Sequence, residues 1–243
     1  MNASFEELDY QQTPLGELIL RRRESVSLPS TVVYEVKLNG EFLMSSLVNA
    51  SEKAMADLAL APLNDESCDV LIGGLGLGYT AATALTHKNV RRVDVIEYIQ
   101  PVIDWHRNRV VPLADQLMDD PRCKLIRDDF FDYVEKEPAE DQSRYDVVLV
   151  DIDHSPEALL DSRHGRFYTR EGLRHLKTHL RPGGIFGLWS ADPPPRLLLD
   201  LLNEAFVSVH SHNIKFYNSL LHVHDANTIV VAQLPSKDGA TSA

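Results

Sequence analysis

The sequence predicts an α/β fold built on a mostly parallel sheet and preceded by a small antiparallel β unit. Three observations predict it. From Cys68 onward, short apolar runs alternate with stretches of helical periodicity. Val147-Val148-Leu149-Val150 is apolar at successive positions, as a strand buried on both faces requires. Ahead of these, residues 32–38 and 41–44 are β-rich and flank Asn39-Gly40, the preferred two-residue hairpin turn, because both positions tolerate positive φ.

Each element has a local reason. Leu18-Ile19-Leu20 and residues 32–38 supply strands of the front unit, read over residues 1–48. Ser51 is placed to cap a helix over residues 52–60 that ends before Pro62. Behind it, strands are expected at 69–72, 93–96, 124–126, 146–150, 184–188, 206–209 and 228–232. Helices fit at 79–87, 101–110, 170–180 and 195–205, with Pro101 at a first helical position, where no N–H is needed. Arg181-Pro182-Gly183-Gly184 stops a helix and turns into the next strand. The chain thus divides into residues 1–60, a β-hairpin unit plus a short helix, and residues 61–243, a nucleoside-binding domain whose end, 235–243, is expected to fray.

The composition narrows the function. A chain of 243 residues, 44% hydrophobic and 25% charged, can bury a core without covalent staples. Cys68 and Cys123 each open an apolar run and read as reduced thiols rather than a disulfide. The start MNASFEELDYQQTP has no basic leader, and no run approaches the ~20 apolar residues that span a bilayer, so a cytoplasmic protein without membrane contact is expected. A formal charge of −12 disfavours nucleic acid and suits a cationic small molecule. Arg21-Arg22-Arg23 is the basic cluster to test as an anion site. His222 and His224 resemble a metal pair without a third ligand, and no metal is expected.

The chemistry centres on Gly73-Gly74-Leu75-Gly76-Leu77-Gly78, which follows a strand and opens a helix. Gly73, Gly74, Gly76 and Gly78 let the backbone turn sharply and approach a ligand, and the helix start supplies unpaired N–H groups. Glu97 ends the next strand, nineteen positions after Gly78 (97 − 78), where a ribose needs a bidentate acceptor. Asp128-Asp129-Phe130 follows the third strand and fits an adenine site, with a carboxylate for the exocyclic N–H and a ring beside the base. Asp128 is preferred as that acceptor, although either acid also suits a helix cap. This set favours an S-adenosylmethionine-type ligand over NAD, whose oxidoreductases share the loop and the strand-end acid.

Asp151-Ile152-Asp153-His154-Ser155-Pro156 lies at the carboxyl end of the fourth strand, where the sheet order should reverse and ligands bind. Asp151 is the candidate general base, with Asp153 and His154 as contacts to a cationic acceptor. Asp153 or Ser155 could instead cap the next turn. Trp189 suits either a pocket wall or the core.

The ordered set of Gly73–Gly78, Val95-Ile96-Glu97, Asp128-Asp129-Phe130, Tyr145–Asp151, Phe167-Tyr168 and Leu180–Gly184 resembles the spermidine synthase-like family, as does Leu38-Asn39-Gly40-Glu41-Phe42. The likeness covers roughly residues 10–235. It implies a Rossmann-like class I methyltransferase fold: a seven-stranded, mostly parallel sheet with helices on both faces. It also implies a homodimer or higher homo-oligomer, and S-adenosylmethionine or decarboxylated S-adenosylmethionine as co-substrate. By resemblance Asp151 matches the catalytic base, and Glu97 and Asp128 match nucleoside contacts. Three positions depart from the family. Gly76 replaces the loop acid that holds an aminopropyl end, Ser51-Glu52-Lys53-Ala54 replaces a Tyr-His-Glu polyamine contact, and the second acid after the fourth strand is shifted. Transfer of a methyl or aminopropyl group to a small amine is expected, with methyl slightly favoured because the loop acid is missing. A true aminopropyltransferase, an NAD enzyme and a non-catalytic nucleoside binder remain as alternatives.

Overall fold

The computed structural model describes residues 5–25, 28, 30–63, 66–138, 144–219 and 222–236. Expectations for 237–243, including the frayed end, lie outside the described residues. Four strands open the chain: β1 (Phe5–Thr13), β2 (Gly16–Glu24), β3 (Val32–Leu38) and β4 (Glu41–Ser45). They form an antiparallel meander in the order β1-β2-β3-β4. Asn39 and Gly40 take φ of 53° and 80°, as the hairpin turn requires. The strand β1 was not expected. Its sequence, FEELDYQQT, is largely polar and exposed, as an edge strand tolerates.

Helix α1 (Ala50–Leu60) begins two residues earlier than expected, with Asn49 rather than Ser51 at the N-cap position. Ser51 is buried inside the first turn, where its hydroxyl serves other partners. The alternation then runs β5 (Cys68–Gly73), α2 (Tyr79–Thr86), β6 (Val90–Glu97), α3 (Gln100–Arg107), α4 (Ala114–Asp119), β7 (Cys123–Arg127), α5 (Phe130–Glu135) and β8 (Tyr145–Val150). It finishes with α6 (Arg170–His179), β9 (Leu180–Ser190), α7 (Arg196–Ala205), β10 (Ser208–Asn218) and β11 (Val223–Gln233).

The seven strands β5–β11 form one sheet in the order β10-β11-β9-β8-β5-β6-β7. Strands β5 to β9 pair in parallel, while β11 is antiparallel to β9 and β10 to β11. The sheet is therefore the Rossmann-like arrangement expected, with its order reversing between β8 and β5. Val147, Val148, Leu149 and Val150 are fully buried. Each such side chain contributes about 1.5–3 kcal/mol when taken out of water. The hairpin β10–β11 is far longer than the two short strands read from sequence, because four of the eleven β10 residues are exposed His, Ser, Asn and Lys.

The front sheet is not a free appendage. Leu18, Leu20, Val36 and Leu38 share one buried cluster with Met55, Leu60, Val70 and Ile72. The Trp105 indole N–H donates to Asp9 at 2.7 Å, joining α3 to β1. The Arg21–Arg23 cluster is consumed by ion pairs: Arg21 and Arg23 grip the buried Glu35 at 2.6 and 2.8 Å, and Arg22 pairs with Glu6. Burial works against the Glu35 charge, but the two guanidiniums outweigh it and hold its carboxyl below the usual range. These partners account for the arginines without an anion. Cys68 and Cys123 are free thiols. No described helix is long and apolar enough to cross a membrane.

Candidate active site

The loop after β5 and the loop after β8 meet at the point where the sheet order reverses. The N–H of Gly74 donates to Ile96 O, and that of Asp151 donates to Gly73 O, both at 2.9 Å. At Gly74, with φ of +92°, a Cβ would stand 2.1 Å from the Asp151 carbonyl oxygen. Only glycine lets the two loops pass this closely. Gly78, also at positive φ, is the N-cap residue of α2, so the helix start faces the same space.

A cavity of about 300 Å³ opens here, within the size range of small-molecule sites. Its floor is Gly74 to Gly78, while Gly73 ends β5 just outside the lining. Glu97, buried at the end of β6, accepts the N–H groups of Leu75 at 3.0 Å and Ile99 at 2.7 Å, one on each oxygen. A carboxylate has about four acceptor positions, and the turn that follows β6 and the glycine loop both draw on those of Glu97. Burial raises the Glu97 carboxyl, opposed by backbone N–H groups of Ile99, Leu75, Gly76 and Tyr98.

Beside Glu97, the start of α5 presents Asp129, Phe130 and Phe131. Asp128 does not reach the lining. Its carboxylate accepts the Asp129 N–H at 2.9 Å, while Asp129 lines the cavity and caps α5 through the N–H groups of Phe131 and Asp132. The preference for Asp128 over Asp129 thus meets a geometry in which the neighbouring acid faces the cavity, already engaged as a cap.

On the other side of β5, Asp151 lines the cavity and accepts the Thr80 hydroxyl at 2.8 Å. Burial raises its carboxyl to about 6, against the Thr80 hydrogen bond. Glu52, from the first turn of α1, lines the same wall, and burial together with the Asp151 charge raises it to about 7. Ser51 Oγ accepts from the Trp189 indole N–H and lies 2.9 Å from both Glu52 Oε2 and Asn227 Oδ1, so its one hydroxyl proton serves either oxygen. Sequence reasoning passed over Glu52 because nothing in Ser51-Glu52-Lys53-Ala54 marks it. Its only signal is an acid in the first helical turn, which helices commonly carry.

His154 lines the cavity, but Asp153 does not. Asp153 is 3% exposed and accepts the Leu160 N–H at 2.8 Å and the Tyr168 hydroxyl at 3.0 Å, with His164 Nδ1 at 2.7 Å. The extended chain breaks after Asp151, so two residues on turn the second acid inward to hold its own loop together. The expected acceptor contact at Asp153 is corrected accordingly. Trp189 does form part of the wall.

The roof comes from segments no motif marks. Phe42, Leu43 and Met44 descend from β4, and Phe216, Asn218 and Asp225 from the β10–β11 hairpin. Met44 stands over Gly76, where a Cβ would meet its sulfur at 2.9 Å. His224 packs edge-on against Tyr217, and no group of three metal-ligating side chains occurs among the described residues.

Comparison with known proteins shows the family to which the chain belongs. The spermine/spermidine synthase domain matches residues 49–197. Polyamine aminopropyltransferase 2 of Pseudomonas aeruginosa is 30% identical over 204 residues, covering 79% of this chain and 55% of that protein. The polyamine aminopropyltransferase of Pyrobaculum calidifontis is 31% identical over 177 residues, covering 72% and 57%. The chain thus spans little more than half the length of these relatives. In fold it is similar to the spermidine synthase of Thermotoga maritima, with TM-score 0.72 and 18% identity over 93% of this chain and 72% of that one. Human methyltransferase-like protein 13, solved with SAH, shares the fold more distantly, with TM-score 0.57 and 22% identity over 79% and 86%. The chain belongs to the spermine/spermidine synthase domain family.

Proposed function

We propose that this chain transfers the aminopropyl group of decarboxylated S-adenosylmethionine to a small cationic amine. The observation that carries this reading is the carboxyl pair Asp151 and Glu52, both raised by burial and both facing the cavity beside the glycine loop. An amine acceptor arrives as an ammonium ion and must lose a proton before it can attack. The ionised Asp151 carboxylate takes that proton. The freed nitrogen lone pair forms a bond to the carbon beside the sulfonium, and the C–S electron pair returns to sulfur. A neutral thioether nucleoside and a secondary ammonium product result, with one proton left on the enzyme. Glu97 and the walls at Asp129 and Phe130 serve the donor's nucleoside, and Glu52, Asp225 and His154 the acceptor.

The sequence had tilted toward methyl transfer. The two sequence relatives, both named polyamine aminopropyltransferases, move the balance to aminopropyl transfer. They also favour a sulfonium nucleoside over NAD. Methyl transfer stays as a second reading because Gly76 carries no acid and Met44 covers it. The two separate by mass spectrometry of an aliphatic diamine incubated with either donor. Aminopropylated diamine from the decarboxylated donor, lost in Asp151→Asn, is the expected result. Methylated product from S-adenosylmethionine alone selects the second reading. A thermal shift with NAD but with neither adenosyl ligand refutes both.

A further inference from the structure

His164 sits in a built setting that the proposed reaction does not use. It is 6% exposed and lines the cavity from a short 3-10 turn (Ser162–Arg166) in the long connection after β8. Its ring lies against Phe131, with centroids 4.1 Å apart and planes 30° apart. That contact folds the β8 connection back toward the α5 end of the cavity, beside Asp129 and Phe130. One ring nitrogen is committed. Nδ1 meets Asp153 Oδ1 at 2.7 Å, and Asp153 is fixed by the Leu160 N–H on the same oxygen and the Tyr168 hydroxyl on the other. Carboxylate oxygens accept only, so Nδ1 carries the hydrogen. A neutral imidazole held this way presents its lone pair at Nε2. The carboxylate expected to receive the purine's exocyclic N–H, Asp128, does not line the cavity, and Asp129 commits its Oδ1 to capping α5, so a further acceptor on this wall comes from His164.

We propose that His164, oriented by Asp153 and braced on Phe131, is the residue that reads the purine edge of the donor through Nε2, selecting a 6-amino over a 6-oxo purine. The inference rests on the reading of the cavity as an adenosyl site and assigns its base specificity. A 6-amino group donates a hydrogen to Nε2. A 6-oxo group turns a lone pair toward it and leaves both acceptors facing each other. A buried mismatch of that kind corresponds to about a ten- to hundredfold loss of affinity.

Titration calorimetry at pH 8 tests this with 5′-methylthioadenosine and its 6-oxo analogue 5′-methylthioinosine. The wild type should prefer the adenosine compound by tenfold or more. His164→Asn keeps a donor near the Nδ1 position for Asp153 and deletes Nε2, so its preference should fall below threefold. His164→Gln places an amide near Nε2 that donates as readily as it accepts, and should also fall below threefold, so either variant suffices if the other does not fold. A merely structural His164 would weaken both ligands alike and leave their ratio intact, which overturns the proposal. Equal binding of the two ligands by the wild type overturns it as well, while leaving the adenosyl reading standing. Binding of neither nucleoside by the wild type refutes the adenosyl reading, and the proposal with it.

Discussion

Replacing Asp151 by asparagine should make the protein more stable at pH 8 while nearly abolishing transfer. The asparagine oxygen still accepts the Thr80 hydroxyl, and one buried negative charge disappears. In the unfolded chain an aspartate titrates near ~3.9, whereas burial raises the folded Asp151 carboxyl to about 6. Between these values the folded state holds more protons than the unfolded one, so stability falls as pH rises through the window and stays low above it. At 1.36 kcal/mol per pKa unit, that displacement corresponds to about 3 kcal/mol. The cavity is open to water, and screening reduces the figure to about 1.5 kcal/mol. Asp151→Asn should therefore melt about 3–6 °C above the wild type at pH 8, given the size of the chain. Most of the gap should close by pH 4.5, where the wild-type carboxyl is protonated. The same substitution should lower kcat by about 10²- to 10⁴-fold, as expected for loss of a general base. Urea melts of both proteins at the two pH values, beside turnover with a diamine, check it. A variant less stable than wild type at pH 8, or a gap equal at both pH values, would refute the reasoning.

Other consequences follow from the same geometry. Glu52→Gln removes the charge facing the acceptor and should raise KM for a diamine about tenfold, equivalent to about 1.4 kcal/mol, with a smaller change in kcat; steady-state kinetics at pH 8 read the split. Glu97→Gln turns an amide N–H toward the Leu75 or Ile99 N–H and should weaken nucleoside binding by about 1–3 kcal/mol, seen by calorimetry. Gly76→Ala forces a side chain to φ of +50° and into Met44, costing about 1–2 kcal/mol for the left-handed backbone alone. Adding Met44→Ala should recover only the packing part in urea melts. Trp105→Phe breaks the bond to Asp9 and should cost about 1 kcal/mol of stability, with nucleoside affinity unchanged.

The parts of this protein that sequence makes legible are those where one local rule decides the outcome. A fully apolar run such as Val147–Val150 can only be a strand covered on both faces, and a glycine run between a strand and a helix is constrained by backbone sterics. Hence the parallel sheet, its loop and Glu97 were readable in advance. The β10–β11 hairpin was not, because its outer half faces solvent and needs no apolar alternation beyond what Phe216 and Tyr217 hint at. Ser51 illustrates a second limit. A serine ahead of a helix suits a cap, but nothing local says that Trp189, 138 positions away, will claim its hydroxyl. Asp153 illustrates a third: two acids spaced for one face of a strand lose that relation where the strand ends, and the second becomes the anchor of a loop closed by His164 and Tyr168.

The two halves of the cavity differ in how they are made, and the difference bears on substrate choice. The half proposed for the nucleoside is built from a glycine loop and strand ends that are neighbours in one sheet, so the fold alone brings them together. The half proposed for the acceptor is assembled from β4, α1 and the β10–β11 hairpin, which meet only in the folded chain. Met44 and Glu52 are separated by the turn that leads into α1, and that helix shares its buried face with both sheets. A shift of α1 by a fraction of a turn would move Glu52 relative to Asp151 and Ser51 relative to Trp189 together. The Ser51–Trp189–Asn227 contacts oppose that shift by tying α1 to β9 and β11. The Glu52 carboxyl proposed to meet the acceptor is thus positioned by tertiary contacts rather than by a motif. Substitutions at Ser51, Trp189 or Asn227 should therefore alter recognition of the amine before they alter binding of the nucleoside.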